Sequence, residues 1–340
     1  MIGPGLRVPR SQGEKVRVRL VAEGLLDSSR EILKEGDDLI LPLATDRPAP
    51  EGWGELVKRE FAPFARSGPT DYRELLNFPP GLRAELPRSF DVVGDIVLVR
   101  VPKSLEDRRA EIGTALLSFV PGARLVGADR GVRGPERRRE VETIAGQGPW
   151  RTRHRENGIE LEVDLERAYF SPRLAREHAR VAEEVERGDG VYDLCCGVGP
   201  FSVTIARDGR ARAITAVDAN PAAIELMRAT LRRYSFGPKV EAVEARLESF
   251  APRAEARERV ILNLPHEGIK YLPSVARTVA PGGRLYYYEV DGRDELERRS
   301  EVVVSALGPE GHWKAIDRHV VHPYSPSTDL MAWVVERSEG

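Results

Sequence analysis

Cysteine is scarce in this chain: the only two, Cys195 and Cys196, are neighbours, and adjacent residues cannot form an ordinary structural disulfide with each other. A disulfide scaffold is excluded, and a reducing compartment fits. Two thiols and six scattered histidines also cannot supply the paired C-x-x-C spacing of a zinc site, so no structural metal is expected. No apolar stretch approaches the roughly 18 residues that cross a bilayer, and the opening MIGPGLRVPRSQGEK has no apolar signal region. The expectation is a cytoplasmic protein with no membrane partner, acting as a monomer. Excess charge is missing too. Lys and Arg number 52 against 54 Asp and Glu, a net charge of −2, so the sum does not advertise a polyanion partner. Internal repeats and low-complexity segments are absent.

What is present suits a globular protein: 41% hydrophobic and 31% charged residues over a length that points to two or three domains. Residues 16–22 alternate like a strand, 28–34 can form a helical turn, and 38–43 read as a second strand. Proline, glycine and charge crowd 46–54, and a linker is expected near 61–72. This sets a small N-terminal α/β domain at 1–64. A middle α+β domain follows at 65–160. It holds two strand-like runs within 90–101, helical spacing of Leu105, Ile112, Leu116 and Phe119 over 104–119, and further strands at 125–128 and 159–164.

From Gly190 the pattern becomes strand, helix, strand, helix. Strands are predicted at 191–195, 213–218, 240–245, 260–264 and 284–290, helices at 201–207, 221–234, 268–279 and 293–306, and an antiparallel pair at 313–322 with 330–337. Such alternation implies a parallel sheet covered on both faces. The fold class is α/β, doubly wound, with the third domain at 161–340.

Three motifs fall on the ends of those strands. Asp193-Leu-Cys-Cys-Gly197-Val-Gly199-Pro200-Phe201 ends one strand and opens a helix, where glycines let the backbone turn tightly and approach a ligand. Twenty-one residues after Gly197 comes Asp218-Ala-Asn220-Pro221, which puts a carboxylate where a ribose diol can donate two hydrogen bonds. A dinucleotide site also wants such an acid, but the loop lacks the third glycine of G-x-G-x-x-G and resembles motif I of class I methyltransferases. The third motif, Asn263-Leu264-Pro265, resembles the N/D-P-P-Y/F-like motif of methyltransferases that act on ring or exocyclic nitrogens. Separately, Arg130, Arg133, Arg137, Arg138, Arg139, Arg151, Arg153 and Arg155 outnumber Glu136, Glu140 and Glu142, which makes a basic stretch suited to RNA phosphates.

Taken together, the chain resembles the archaeal and eukaryotic family of tRNA (guanine-37-N1)-methyltransferases over nearly its whole length. Tyr169-Phe-Ser-Pro172-Arg173-Leu174-Ala-Arg-Glu177 is similar to the family's Y-F-S-P-R-L-x-x-E segment. Phe90-Asp-Val-Val-Gly-Asp95 and Arg155-Glu-Asn-Gly158 resemble its middle-domain landmarks, and Glu23-Gly-Leu-Leu its small N-terminal domain. The resemblance implies a class I (Rossmann-like) methyltransferase domain that uses S-adenosyl-L-methionine. It also implies a tRNA partner held at the anticodon loop and the outer corner.

Site roles follow from the same resemblance. Glu177 matches the general base, Arg137 an arginine that steadies the guanine, and Asn263 the residue that orients it. The cofactor would lie among Tyr169, Phe170, Arg173, Asp193, Gly197, Gly199, Asp218, Asn220, Asn263 and Pro265, and RNA against Arg130, Arg133, Arg138, Arg139, Arg151, Arg153 and Arg155. The helix carrying Glu177 is expected to start at a Ser171 cap and to bury Leu174, Val181, Ala182 and Val185. Glu177 then sits about 60° from Leu174 at the stripe's edge, where partial burial should raise its pKa toward neutrality. This chain departs from the family at His178, where an arginine is usual, at Ala245, where an aspartate usually meets the adenine amino group, and at His266-Glu267-Gly268. Two other activities compete: transfer of the aminocarboxypropyl arm or a further methylation in wybutosine-type synthesis, and tRNA binding without catalysis. The Pro172-Arg173-Leu174 run, Asn263-Leu264-Pro265 and the retained Glu177 favour methyl transfer.

Overall fold

The structure is a computed structural model that describes residues 2–44, 52–64, 68–134, 138–292, 296–309, 311–325 and 327–339. Two compact units divide the chain, Met1–Leu75 and Leu76–Gly340. In the first, β1 (Ile2–Pro9), β2 (Leu33–Glu35), β3 (Asp38–Pro42) and β4 (Glu55–Glu60) form an antiparallel sheet of order β2-β3-β1-β4 with α1 (Gly13–Ala22). Leu6, Val8, Val16, Leu20, Leu41 and Leu43 are its core. Residues 16–22, expected as a strand, belong to α1. Val16, Val18 and Leu20 alternate, but Gly13, Val16 and Leu20 repeat at helical spacing, and those are the three that the helix buries. The expected helical turn at 28–34 is instead a turn held by Asp27, whose Oδ1 accepts from Ser29 N and Oγ, before the chain enters β2.

The second unit opens with α2 (Pro80–Ala84) and a four-stranded sheet, β5 (Asp91–Val93), β6 (Ile96–Val99), β7 (Leu125–Arg133) and β8 (Arg138–Gly146), in that order. Between β6 and β7, which are parallel, runs α3 (Arg109–Phe119), burying Ile112, Gly113, Ala115 and Leu116. Of the helix expected over 104–119, Arg109–Phe119 is α-helical and Lys103–Arg108 is a 3-10 turn. The hairpin of β9 (Arg151–Glu156) and β10 (Ile159–Asp164) turns at Asn157-Gly158, both at positive φ. Along β10, Ile159, Leu161 and Val163 alternate inward, which is the pattern of a half-buried strand.

Next come α4 (Ala175–Glu184), β11 (Gly190–Leu194), α5 (Pro200–Asp208), β12 (Ala213–Asp218), α6 (Pro221–Leu231), β13 (Lys239–Glu244), α7 (Leu247–Phe250), β14 (Arg257–Asn263), α8 (Leu272–Ala276), β15 (Val279–Gly292), α9 (Leu296–Ala306), β16 (Trp313–Pro323) and β17 (Thr328–Arg337). The seven strands form one sheet of order β13-β12-β11-β14-β15-β17-β16, parallel up to β15 and antiparallel beyond. Its two faces are covered by separate apolar clusters, one around Leu194, Leu262, Tyr287 and Trp333, the other around Val181, Val191, Phe201 and Tyr286. This is the doubly wound class I methyltransferase fold. Strand order reverses between β11 and β14, so a crevice opens beyond their carboxyl ends. α6 and α8 end earlier than the sequence pattern suggests, at Leu231 and Ala276.

Candidate active site

The residues expected to hold a cofactor gather at that crevice. After β11, Cys195 (φ 61°), Gly197 (φ 57°) and Gly199 (φ 80°) all adopt left-handed backbone, and α5 begins at Pro200. Gly199 is fixed by packing as well: a Cβ there would lie 2.6 Å from Met227 Sδ. Asp218 closes the loop, since its Oδ2 accepts from Gly197 N at 2.7 Å and its Oδ1 from Asn220 N at 2.8 Å. Asn220 in turn caps α6 through Ala222 N and donates to Arg167 O. Asp193 is wholly buried. Burial pushes its carboxyl up to about 6 against the pull of Ser202, which donates to Oδ2 through N and Oγ. The other oxygen, Oδ1, has no hydrogen-bond partner among the described residues.

Beside this loop lies a cavity of about 920 Å³. Its wall includes Tyr169, Phe170, Gly197, Asp218, Asn220, Asn263 and Pro265 of the expected set, and His178, His266, Tyr271 and Tyr324 besides. Gly199 and Asp193 are not on this wall. Arg173, expected at the cofactor, instead pairs with Asp91 of β5 at 2.8 Å and is not on this wall.

Glu177 departs from expectation in chemistry. Ser171 makes no side-chain cap, and a 3-10 turn at Pro172–Leu174 precedes α4, yet the stripe of Leu174, Val181, Ala182 and Val185 is buried as predicted. Glu177 is only 5% exposed. Arg180 donates to both of its oxygens (3.0 and 2.7 Å), Tyr288 OH donates at 2.7 Å, and His319 Nε2 lies at 3.0 Å. Burial raises the carboxyl, but the bonds from His319, Arg180 and Tyr288 outweigh it and hold the pKa at about 2. The expected rise toward neutrality is therefore corrected: burial came with three donors, two of them from strands far along the chain. Glu177 is also not on the cavity wall.

Residues 152–306 match the family described as the TRM5/TYW2 methyltransferase domain, 72–149 the TYW2 N-terminal domain, and 5–51 the tRNA methyltransferase 5 N-terminal domain. The curated tRNA (guanine(37)-N(1))-methyltransferase Trm5b of Pyrococcus abyssi is 35% identical over 284 residues, covering 83% of each chain. The chain belongs to the tRNA (guanine-37-N1)-methyltransferase family. Among solved structures, the complex of aTrm5 with tRNALeu aligns with TM-score 0.69 and 27% identity over 98% of this chain and 99% of that one. Trm5 of Methanocaldococcus jannaschii in complex with adenosine aligns with TM-score 0.66 and 27% identity, over 99% and 100%.

Against this family pattern, the basic stretch divides. Arg137 lies outside the described residues, as do the side chains of Arg133 and Arg138, whose backbones pair between β7 and β8. Arg139, expected at the RNA, turns its side chain inward: it is only 8% exposed, bonded to Asp129 and to Phe170 O, with its guanidinium over the Tyr169 ring. It anchors the Tyr169-Phe170 segment that forms part of the cavity wall. Arg130, Arg151, Arg153 and Arg155 are all exposed; Arg130 is paired with Glu106 and Glu142, Arg151 with Glu162, and Arg153 lies near Glu160 and Glu162. Sequence reasoning missed the pairs on the wall: His178 with Glu156, His266 with Tyr324, and Tyr271 with Glu248. Each joins segments at least 22 positions apart, so only the departures at His178 and His266 were visible beforehand.

Proposed function

We infer that this chain transfers a methyl group from S-adenosyl-L-methionine to N1 of guanosine 37 in tRNA. One observation carries the reading: in a chain of this family, a nucleoside-type floor of Gly197 and Asp218 and the Asn263-Leu264-Pro265 strand end share one cavity at the switch point. The residues fit the cofactor. Asp218 stands at the end of β12 on the cavity wall, where a ribose diol could donate to its carboxylate, and Gly197 has no neighbour within 3.4 Å of where a Cβ would be. The orphaned Oδ1 of Asp193 awaits a donor.

When bound, the cofactor supplies an electrophilic methyl group. The protein must do the rest. Asn263, which is on the cavity wall, is assigned to orient the guanine, and Arg137 to O6, where negative charge develops as the N1 proton leaves. Glu177 is the proposed acceptor of that proton. At a pKa of about 2 it is a weak base, so accepting the proton requires the bonds from Tyr288 or His319 to loosen first. We further assign tRNA contact to Arg151, Arg153 and Arg155, the outer corner of the tRNA to residues 1–64, and place the activity in the cytoplasm in a monomer. The domains are taken as 1–64, 65–160 and 161–340.

The deciding experiment incubates purified protein with labelled S-adenosylmethionine and unmodified tRNA transcripts, then identifies the product nucleoside by mass spectrometry. The reading expects 1-methylguanosine at position 37. An aminocarboxypropyl nucleoside, or no labelled nucleoside, overturns it.

A further inference from the structure

A second buried acceptor stands close to Asp193. His178 is 1% exposed, one turn after Leu174 on α4, and both are on the cavity wall. Its Nδ1 lies 2.7 Å from Glu156 Oε1 of β9. In the neutral ring, a carboxylate at that nitrogen places the proton on Nδ1 and leaves a lone pair on Nε2. That Nε2 has no partner among the described residues. The ring packs edge-on against Phe201, with centroids 4.4 Å apart, while Asp193 accepts from Ser202, the next residue of α5.

The first turn of α5 is thus bordered by two orphaned acceptors, Asp193 Oδ1 and His178 Nε2, and a third, Glu156 Oε2, belongs to the carboxylate that holds His178. Two buried carboxylates, Glu156 and Asp193, flank it, and neither bonds to a lysine or arginine among the described residues. An unmade hydrogen bond at a buried polar atom costs about 1 to 3 kcal/mol, so two together mark a place built for something else. Acceptors without donors, in negative surroundings, fit a cation that donates several hydrogen bonds. We propose that His178, held by Glu156, is a second ligand beside Asp193 for a primary ammonium group, that of the amino-acid end of the cofactor. This rests on the S-adenosylmethionine reading above. It also gives position 178 a use for a histidine that an arginine, which has no acceptor, could not serve.

The test compares two ligands by calorimetry on the full chain: S-adenosylhomocysteine, and 5′-methylthioadenosine, which shares the nucleoside and thioether but lacks the amino-acid end, ammonium and carboxylate together. His178→Leu should weaken S-adenosylhomocysteine by about tenfold or more, the worth of one charge-assisted hydrogen bond, and leave methylthioadenosine within about threefold. His178→Gln, whose amide oxygen can accept, should recover part of the loss. Should His178→Leu fold poorly, Glu156→Gln serves instead and should show a smaller loss confined to S-adenosylhomocysteine. Equal losses for both ligands, or no loss for either, overturn the proposal while leaving the cofactor reading in place. A wild-type protein that binds neither ligand overturns both.

Discussion

Glu177 is a carboxylate that the fold keeps ionised. Its pKa of about 2 lies below the ordinary 4.5, so the folded state binds its proton more weakly than the unfolded chain does. The resulting stabilisation is fully present above about pH 4.5 and is lost as pH falls toward 2; a shift of that size corresponds to roughly 3 kcal/mol. Denaturant unfolding of wild type and Glu177→Gln should therefore differ by a few kcal/mol at pH 7 and converge as pH falls to about 2 and below. A gap that does not narrow with acid would mean that the charge is not what stabilises. Single-turnover methylation by the same variant should fall by about 10²-fold or more if Glu177 takes the N1 proton. At Asp218, loss of the carboxylate in Asp218→Ala should weaken S-adenosylmethionine by roughly 1.5 to 3 kcal/mol in calorimetry. Asp218 could be read from sequence because strand, glycine turn and acid are local features. The state of Glu177 could not, because Tyr288 and His319 come from residues 111 and 142 positions away.

At the scale of elements, the loop between β11 and α5 shows how little freedom the motif has. Gly199 combines φ 80° with a neighbour 2.6 Å from any Cβ. Gly199→Ala should cost about 2 kcal/mol or more in denaturant unfolding and weaken the cofactor along with it. Unaltered stability would mean that Met227 yields easily. Arg139 makes a parallel case for β8. Removing its guanidinium in Arg139→Ala frees Phe170 O and the Tyr169 ring, so cofactor affinity should drop while the salt dependence of tRNA binding stays put. A changed salt slope would instead return Arg139 to the RNA. The strands and helices of the sheet domain were legible because fully buried runs such as Val191-Tyr-Asp-Leu194 alternate with helical patterns. β8 was not, since arginines and glutamates fill a strand whose pairing with β7 decides its state.

Across the whole molecule, a net charge of −2 means that any grip on a polyanion is local. Several arginines of the basic stretch are already matched by Glu106, Glu142, Glu160 and Glu162, so they present alternating rather than summed charge. Neutralising Arg151 and Arg153 together should still flatten the plot of log affinity against log salt by about one to two units if each meets a phosphate. An unchanged slope would make them partners of Glu160 and Glu162 alone.

β17 follows β16 in sequence but sits inside it, between β15 and β16, with seven consecutive residues buried. As the chain leaves a ribosome, β15 emerges first and must wait with one long side open. Tyr286, Tyr287 and Trp333 are all sealed in only when residues 328–337 slide into that gap. Until then the open flank is a template for any extended neighbour, which makes the interval between synthesis of β15 and β17 the moment when this protein is most exposed to aggregation.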